Sequence, residues 1–254
     1  QTSSKVFAQL YLKYLVELST EQQAEVEKNI KAGIRKLQDF QVGEGGMSYW
    51  QGSTDINDWG TNYAGHFLVL AEKEGYTLPS GMLRKWISYQ QARAQSFDIS
   101  SAHYYSQDQI QAYRLYVLAL AKSPVLAAMN RLREYSKLSP LSAWYLAAAY
   151  AQMGQVAEAQ ALIAKAGQMN EGYRYNYYTF GSYERDMAII LETYCLMNKQ
   201  SDAQRLIKRV AAAMSSNSWQ STQTMAYELH SVAMFAKTFG AGTAIQAMIT
   251  VNGK

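Results

Sequence analysis

A chain of 254 residues that is 48% apolar can bury a large core as one domain or two, which excludes general disorder. Lys and Arg total 24 against 20 Asp and Glu; the formal charge of +4 is scattered rather than blocked and gives no support to nucleic-acid binding. No apolar run approaches the roughly 18 residues of a membrane span, and tyrosine, at 20 copies, supplies side chains suited to half-exposed faces and interfaces.

The opening Gln1-Thr2-Ser3-Ser4 reads as cut from something longer. Val6, Leu10 and Tyr14, flanked by Phe7, Tyr11, Leu15 and Leu18, recur at three and four residues and predict a helix with a broad apolar stripe. Ser19-Thr20 before Glu21-Gln22-Gln23 forms the cap and first turn of a second helix that carries Val26, Ile30, Ile34 and Leu37. From Val42 to Asp58 glycines, Asn and Asp follow one another without periodicity, which predicts a long loop. Helices are then expected at about 59–74, 80–95, 108–121, 124–137, 140–153, 155–166, 183–199, 201–215 and 220–239. Pro79, Pro124 and Pro140 fall at expected helix starts, where a missing N–H costs nothing, and Gly154 and Gly240 read as stops. The sum is eleven helices joined mostly by short turns.

Alternate helices share a character. Tyr63–Ala71, Tyr113–Ala121, Trp144–Ala151 and Met225–Ala236 are alanine-rich and nearly all apolar, so they should be buried inner helices whose small side chains let axes approach closely. The intervening helices, such as 21–39 and 201–215, keep a charged face and should form an outer ring. Spacings of roughly 30 to 50 residues do not fit an ordinary 34-residue repeat, and no polar capping repeat closes either end, so the expected fold is all-α, a closed α/α toroid built from hairpins over residues 1–240. Ala244 to Val251 alternates weakly and ends in Asn252-Gly253, a turn signal, so residues 241–254 are expected to be a linker and the first strand of a following β domain.

Several side chains invite chemistry. Asp55 and Asp58, with Glu184 and Asp186 from the other half of the chain, would suit carbohydrate hydrolysis at the mouth of an α/α toroid, where an acid and a base or nucleophile flank the scissile bond. The simpler account is that Asp55, Asn57 and Asp58 cap a turn and the helix starting near Trp59. His66, His103 and His230 are far apart and have no clustered Asp or Cys companion, so no metal or other cofactor is expected. His66 and His230 are read as packing residues and His103 as exposed. Cys195, the single cysteine, lies in an apolar helical run and is expected as a small buried side chain. Tyr173, Tyr175, Tyr177, Tyr178 and Phe180 interleave with Arg174 and Asn176; this reads either as a loop across one end of the toroid or as an aromatic surface for docking a neighbouring domain.

Three stretches in order along the chain carry a family resemblance: Gln1-Thr2-Ser3-Ser4-Lys5-Val6-Phe7-Ala8-Gln9-Leu10-Tyr11-Leu12; Gly45-Gly46-Met47-Ser48-Tyr49-Trp50 followed by Trp59-Gly60-Thr61-Asn62-Tyr63-Ala64; and Trp219-Gln220-Ser221-Thr222-Gln223-Thr224. Together they make the chain resemble the thioester domain of the bacterial alpha-2-macroglobulin family, relatives of complement C3. The resemblance implies a six-by-six α/α toroid, with Gln1 matching the thioester glutamine and its cysteine three residues earlier. It makes Gly46, Tyr49, Trp50, Trp59, Trp219, Ser221, Thr222 and Gln223 family-motif positions. It implies a protease inhibitor, not an enzyme, that traps its target after bait cleavage, with the other domains of a parent chain and target proteases as partners. No nucleic acid and no direct membrane contact are implied, and the location would be the periplasm or cell envelope, lipid-anchored through the parent. Without the cysteine partner the chain by itself cannot form the thioester bond, and Cys195 sits too deep in a later helix to replace it.

Overall fold

The computed structural model describes residues 2–166 and 178–240. The segment expected to open a β domain, 241–254, lies outside the described residues, as does Gln1. Among the described residues the chain forms eleven α-helices: α1 (Thr2–Gln9), α2 (Thr20–Gln38), α3 (Asp58–Lys73), α4 (Met82–Gln95), α5 (Gln107–Leu120), α6 (Leu126–Arg133), α7 (Pro140–Gln152), α8 (Val156–Lys165), α9 (Tyr183–Leu196), α10 (Gln200–Met214) and α11 (Thr222–Phe239). Two 3-10 turns, Leu12–Tyr14 and Ile99–Ser101, complete the pattern. No β-strand occurs among the described residues, only isolated bridges pairing Gln41 with Met47 and Ser48 with Ile56.

Burial separates the helices into two layers as their composition predicts. Every residue of α7 from Leu141 to Ala151 is buried, whereas α10 buries only Ala203, Leu206 and Val210 along one stripe. Helices α1, α3, α5, α7, α9 and α11 pack in that order around a ring, and α1 closes it by lying against α11. The even-numbered helices lie outside and return the chain between them. The six inner helices therefore run parallel, and all begin at one face of an all-α toroid.

The close spacing of the layers depends on small residues. A Cβ on Gly65 would lie 2.0 Å from the Trp86 ring, which rests across α3 and donates its indole N–H to the Thr61 carbonyl at 2.8 Å. At the centre of the ring Phe7 meets Tyr63, His66, Phe67, Tyr227 and His230, with ring centroids 5.1 to 6.1 Å apart. One wholly buried phenyl group thus touches side chains from α3 and α11 and fixes α1 between them.

Four boundaries differ from expectation. The first apolar stripe is not one helix: α1 ends at Gln9, and the chain tightens into the Leu12–Tyr14 turn. Tertiary contacts set that break, because the Tyr11 ring packs 4.7 Å from His230 while Tyr14 Oη donates to Glu74 at 2.6 Å. Pro140 is the first residue of α7 as expected, but Pro79 and Pro124 stand before their helices, which start at Met82 and Leu126. Helix α6 is also shorter than the apolar pattern around it, ending at Arg133.

Candidate functional site

The three stretches that carry the resemblance are brought to the face where the inner helices begin. In the loop before α3, Met47 N–H donates to Thr61 Oγ1 at 2.9 Å and Asn57 N–H to the Met47 carbonyl at 2.9 Å. Gly46 is tight against this turn: a Cβ there would stand 2.7 Å from Ile56. Asn57, rather than Asp55 or Asp58, caps α3, its side-chain oxygen accepting from Gly60 N–H at 2.6 Å.

Trp59 and Gln223, distant in sequence, meet beneath this face. With the Gln223 amide turned to satisfy its surroundings, its oxygen accepts from Trp59 Nε1 at 3.0 Å and its nitrogen donates to the carbonyls of Thr179 and Phe180 at 3.1 and 3.2 Å. The Arg185 guanidinium lies 5.1 Å from the Trp59 ring centre. It donates to Asp186 Oδ1 from Nε at 3.0 Å and Nη2 at 2.8 Å, and to the Thr179 carbonyl at 2.7 Å. Ser221 caps α11 by accepting from Thr224 N–H at 3.1 Å, and the Thr224 hydroxyl lies 3.1 Å from that of Ser182, the cap of α9. The starts of α3, α9 and α11 are thereby tied to one another.

Other motif residues point outward. Trp219 is 83% exposed and Trp50 71%, with Tyr49 half-exposed and Thr222 exposed. Tyr49 stacks against Phe180 at 6.4 Å and meets Trp50 edge-on at 5.1 Å. Tyr178 contacts Tyr105 at 5.1 Å, and Tyr104 and Tyr105 are exposed beside His103. The aromatic surface thus takes in the loop before α5, which the sequence analysis treated only through His103. Tyr173, Tyr175 and Tyr177 lie outside the described residues.

The carboxylates of the carbohydrate reading have other engagements. Asp58 accepts from Arg114 Nη2 at 2.9 Å and lies 3.5 Å from Arg93; Asp186 is bound by Arg185; Asp55 is exposed. Glu184 lies near Glu228, a residue that sequence reasoning did not single out. Burial pushes the Glu228 carboxyl up to about 8; the Gln220 amide, donating at 3.1 Å, works against this and the Glu184 charge adds to it.

A second group of polar residues occupies the axis of the ring. His66 on α3, Glu192 on α9 and His230 on α11 are all buried, and one ligand atom from each lies within 4.8 Å of the other two. His230 Nε2 is 2.8 Å from Glu192 Oε1, and His66 Nε2 is 3.9 Å from the same oxygen. Tyr116 Oη donates to Glu192 Oε1 as well. Burial would raise the Glu192 carboxyl, but His230 and the Tyr116 bond hold it down to about 2, while burial lowers His66 to about 3. Sequence reasoning took the histidines as isolated packing residues. The available signal was a lone carboxylate, Glu192, in the same apolar helical class as two lone histidines.

No family model matches the chain. An alpha-2-macroglobulin of Xylella fastidiosa is 28% identical over 207 residues, a match covering 75% of this chain and 12% of that protein. The crystal structure of native alpha-2-macroglobulin from Escherichia coli, spanning domain MG7 to the C-terminus, superposes over 92% of this chain and 39% of its own, with a TM-score of 0.77 and 24% identity. The chain resembles bacterial alpha-2-macroglobulin in sequence and in fold. The alpha-2-macroglobulin of Salmonella, crystallised after reaction with methylamine, superposes over 91% of this chain and 16% of its own, with a TM-score of 0.75 and 24% identity. The chain spans about an eighth of the length of the Xylella alpha-2-macroglobulin that it matches. No helix among the described residues is long and apolar enough to cross a membrane.

Proposed function

We propose that the chain is the thioester-type helical domain of an alpha-2-macroglobulin-like protease trap and acts as part of a longer parent. The observation that carries this reading is the meeting of Trp59 and Gln223 at the face where α1 begins. Residues from separate motifs join on the side of the ring where α1 starts at Thr2. In this reading Gln1 supplies the acyl carbon of a thioester to a cysteine three residues before it in the parent. After cleavage of a bait segment, a lysine amine of the target protease attacks that carbon. The C–N bond forms, the C–S bond breaks, the sulfur leaves with the electron pair as thiolate, and the nitrogen loses a proton to give an amide.

Cys195 is not the thioester partner. It is buried in the last turn of α9, at the opposite face from the start of α1, and burial together with the Glu192 charge pushes its thiol up to about 12. The domain turns over no substrate of its own, and its partners are the parent's other domains and the trapped protease. The exposed Tyr49, Trp50, Tyr178 and Trp219 form the surface for the neighbouring domains, and the parent resides in the periplasm or cell envelope, held by a lipid anchor.

Methylamine incorporation into the full-length parent tests this reading by intact mass, with free thiols alkylated before and after. Uptake of one amine at Gln1 with release of one thiol is expected. No uptake and no new thiol, in both the folded and the protease-nicked parent, would remove the covalent step and leave a non-covalent scaffold.

A further inference from the structure

We propose that His66, Glu192 and His230 form a binding site for a divalent transition-metal ion at the axis of the toroid, with a donor set suited to Zn2+. The ligands would be His66 Nε2, His230 Nε2 and Glu192 Oε1. Two imidazoles and a carboxylate match the three-ligand sets that hold zinc and leave a fourth position for water.

The geometry is close to that needed. Tetrahedral zinc with bonds of about 2.0–2.1 Å sets neighbouring donor atoms roughly 3.3 Å apart. The observed separations from Glu192 Oε1, 2.8 Å to His230 and 3.9 Å to His66, bracket that value. The third pair, His66 Nε2 and His230 Nε2, lies within 4.8 Å, so the two imidazoles would draw together by about an ångström to complete the site.

His66 supplies the independent observation. The residue is wholly buried, yet its Nε2 has no hydrogen-bond partner among the described residues. Its Nδ1 is 3.0 Å from Tyr113 Oη. If Nδ1 carries the proton and donates to Tyr113, Nε2 turns a bare lone pair towards Glu192, the tautomer a metal requires. If Tyr113 donates instead, an Nε2–H faces Glu192 at a distance too long for a hydrogen bond. A buried ring nitrogen is left unsatisfied in both cases, and in the first a cation between the three residues takes up its bare lone pair. The outer contacts of two ligands are those of a metal centre, Tyr113 orienting one imidazole and Tyr116 donating to the carboxylate, while Nδ1 of His230 has no partner among the described residues. Phe7 on α1 and Tyr11 just after it cover the cluster, so an ion would enter as the ring closes and be retained afterwards.

The test uses the full 254-residue chain, refolded with and without Zn2+ after EDTA treatment and then gel-filtered. One zinc per chain is expected by elemental mass spectrometry, with a rise in Tm of about 5 °C or more over the zinc-free protein. His66→Gln and His230→Gln variants should each lose the retained zinc and the Tm difference. Because such variants can fail to fold, the unmodified chain is also refolded with Co2+, where an intense visible band of a four-coordinate ion is expected. The proposal is overturned if the unmodified chain retains no zinc, if folded variants retain as much as the unmodified chain, or if cobalt shows only the weak band of a six-coordinate surface ion. Any of these outcomes would make the cluster a plain buried His230–Glu192 ion pair.

Discussion

Arg185 carries a full charge into the interior at the start of α9, wholly buried, where Asp186 and the Thr179 carbonyl receive its donors and the Trp59 ring covers one face. Breaking such a pair from one side leaves an uncompensated charge, so Arg185→Met is expected to cost about 3–5 kcal/mol in urea unfolding. The double variant with Asp186→Leu should recover part of that loss, whereas a recovery of nothing would show that Asp186 is not the partner that matters. Very little of this was legible beforehand. The sequence marked Trp59 and Gln223 as motif positions, and it read Cys195 as a buried side chain, which it is. It named Asp186 only as an alternative acid and gave Arg185 no role. The reason is physical: a salt bridge between sequence neighbours becomes informative only once burial is known. Likewise, Glu192 joins His66 and His230 only after the ring is closed.

At the scale of elements, Glu74 at the end of α3 collects three donors from other parts of the chain. Tyr14 Oη donates at 2.6 Å, Lys13 Nζ at 2.9 Å and Lys237 Nζ at 3.1 Å, joining the turn after α1 to α3 and α11. Partial burial would raise the carboxyl, but these bonds outweigh it and hold it below its ordinary value of 4.5. A depressed carboxyl stabilises the fold above that ordinary value and loses its contribution as pH falls through the folded one. Both lysines are half-exposed, so Glu74→Gln is expected to cost only about 1 kcal/mol at neutral pH. In thermal unfolding across pH, the difference should begin to shrink near 4.5 and close below the lower folded-state value; a constant offset would mean the loss is one of packing. The helices themselves were largely readable, because periodicity and alanine content separate the buried α3, α5, α7 and α11 from their one-striped neighbours. The misreadings fall where tertiary contacts override local pattern. An unbroken apolar stripe predicted a helix through Leu18, and the reach of Tyr11 to His230 and of Tyr14 to Glu74 ended it at Gln9. Gly81, at a φ of +73°, precedes α4 and displaces its start from Pro79.

For the whole molecule, closure rests on a short helix. α1 has eight residues, too few to persist alone, and is held by burying Val6 and Phe7 between α3 and α11. Phe7→Ala should therefore cost about 3–5 kcal/mol and speed amide hydrogen exchange in α11 as well as in α1. Loss confined to α1 would show that the remaining helices hold the ring without it.

The parallel course of the inner helices has a mechanical consequence. α1 starts on one face at Thr2, and its neighbour α11, eighteen residues and about 27 Å long, ends on the other at Phe239. A parent chain that enters before α1 and leaves after α11 passes through the toroid from face to face. Tension between those two points then loads the α1–α11 seam in shear, so many side-chain contacts must yield together. The seam that closes the ring also makes it a stiff link in series with whatever flanks it.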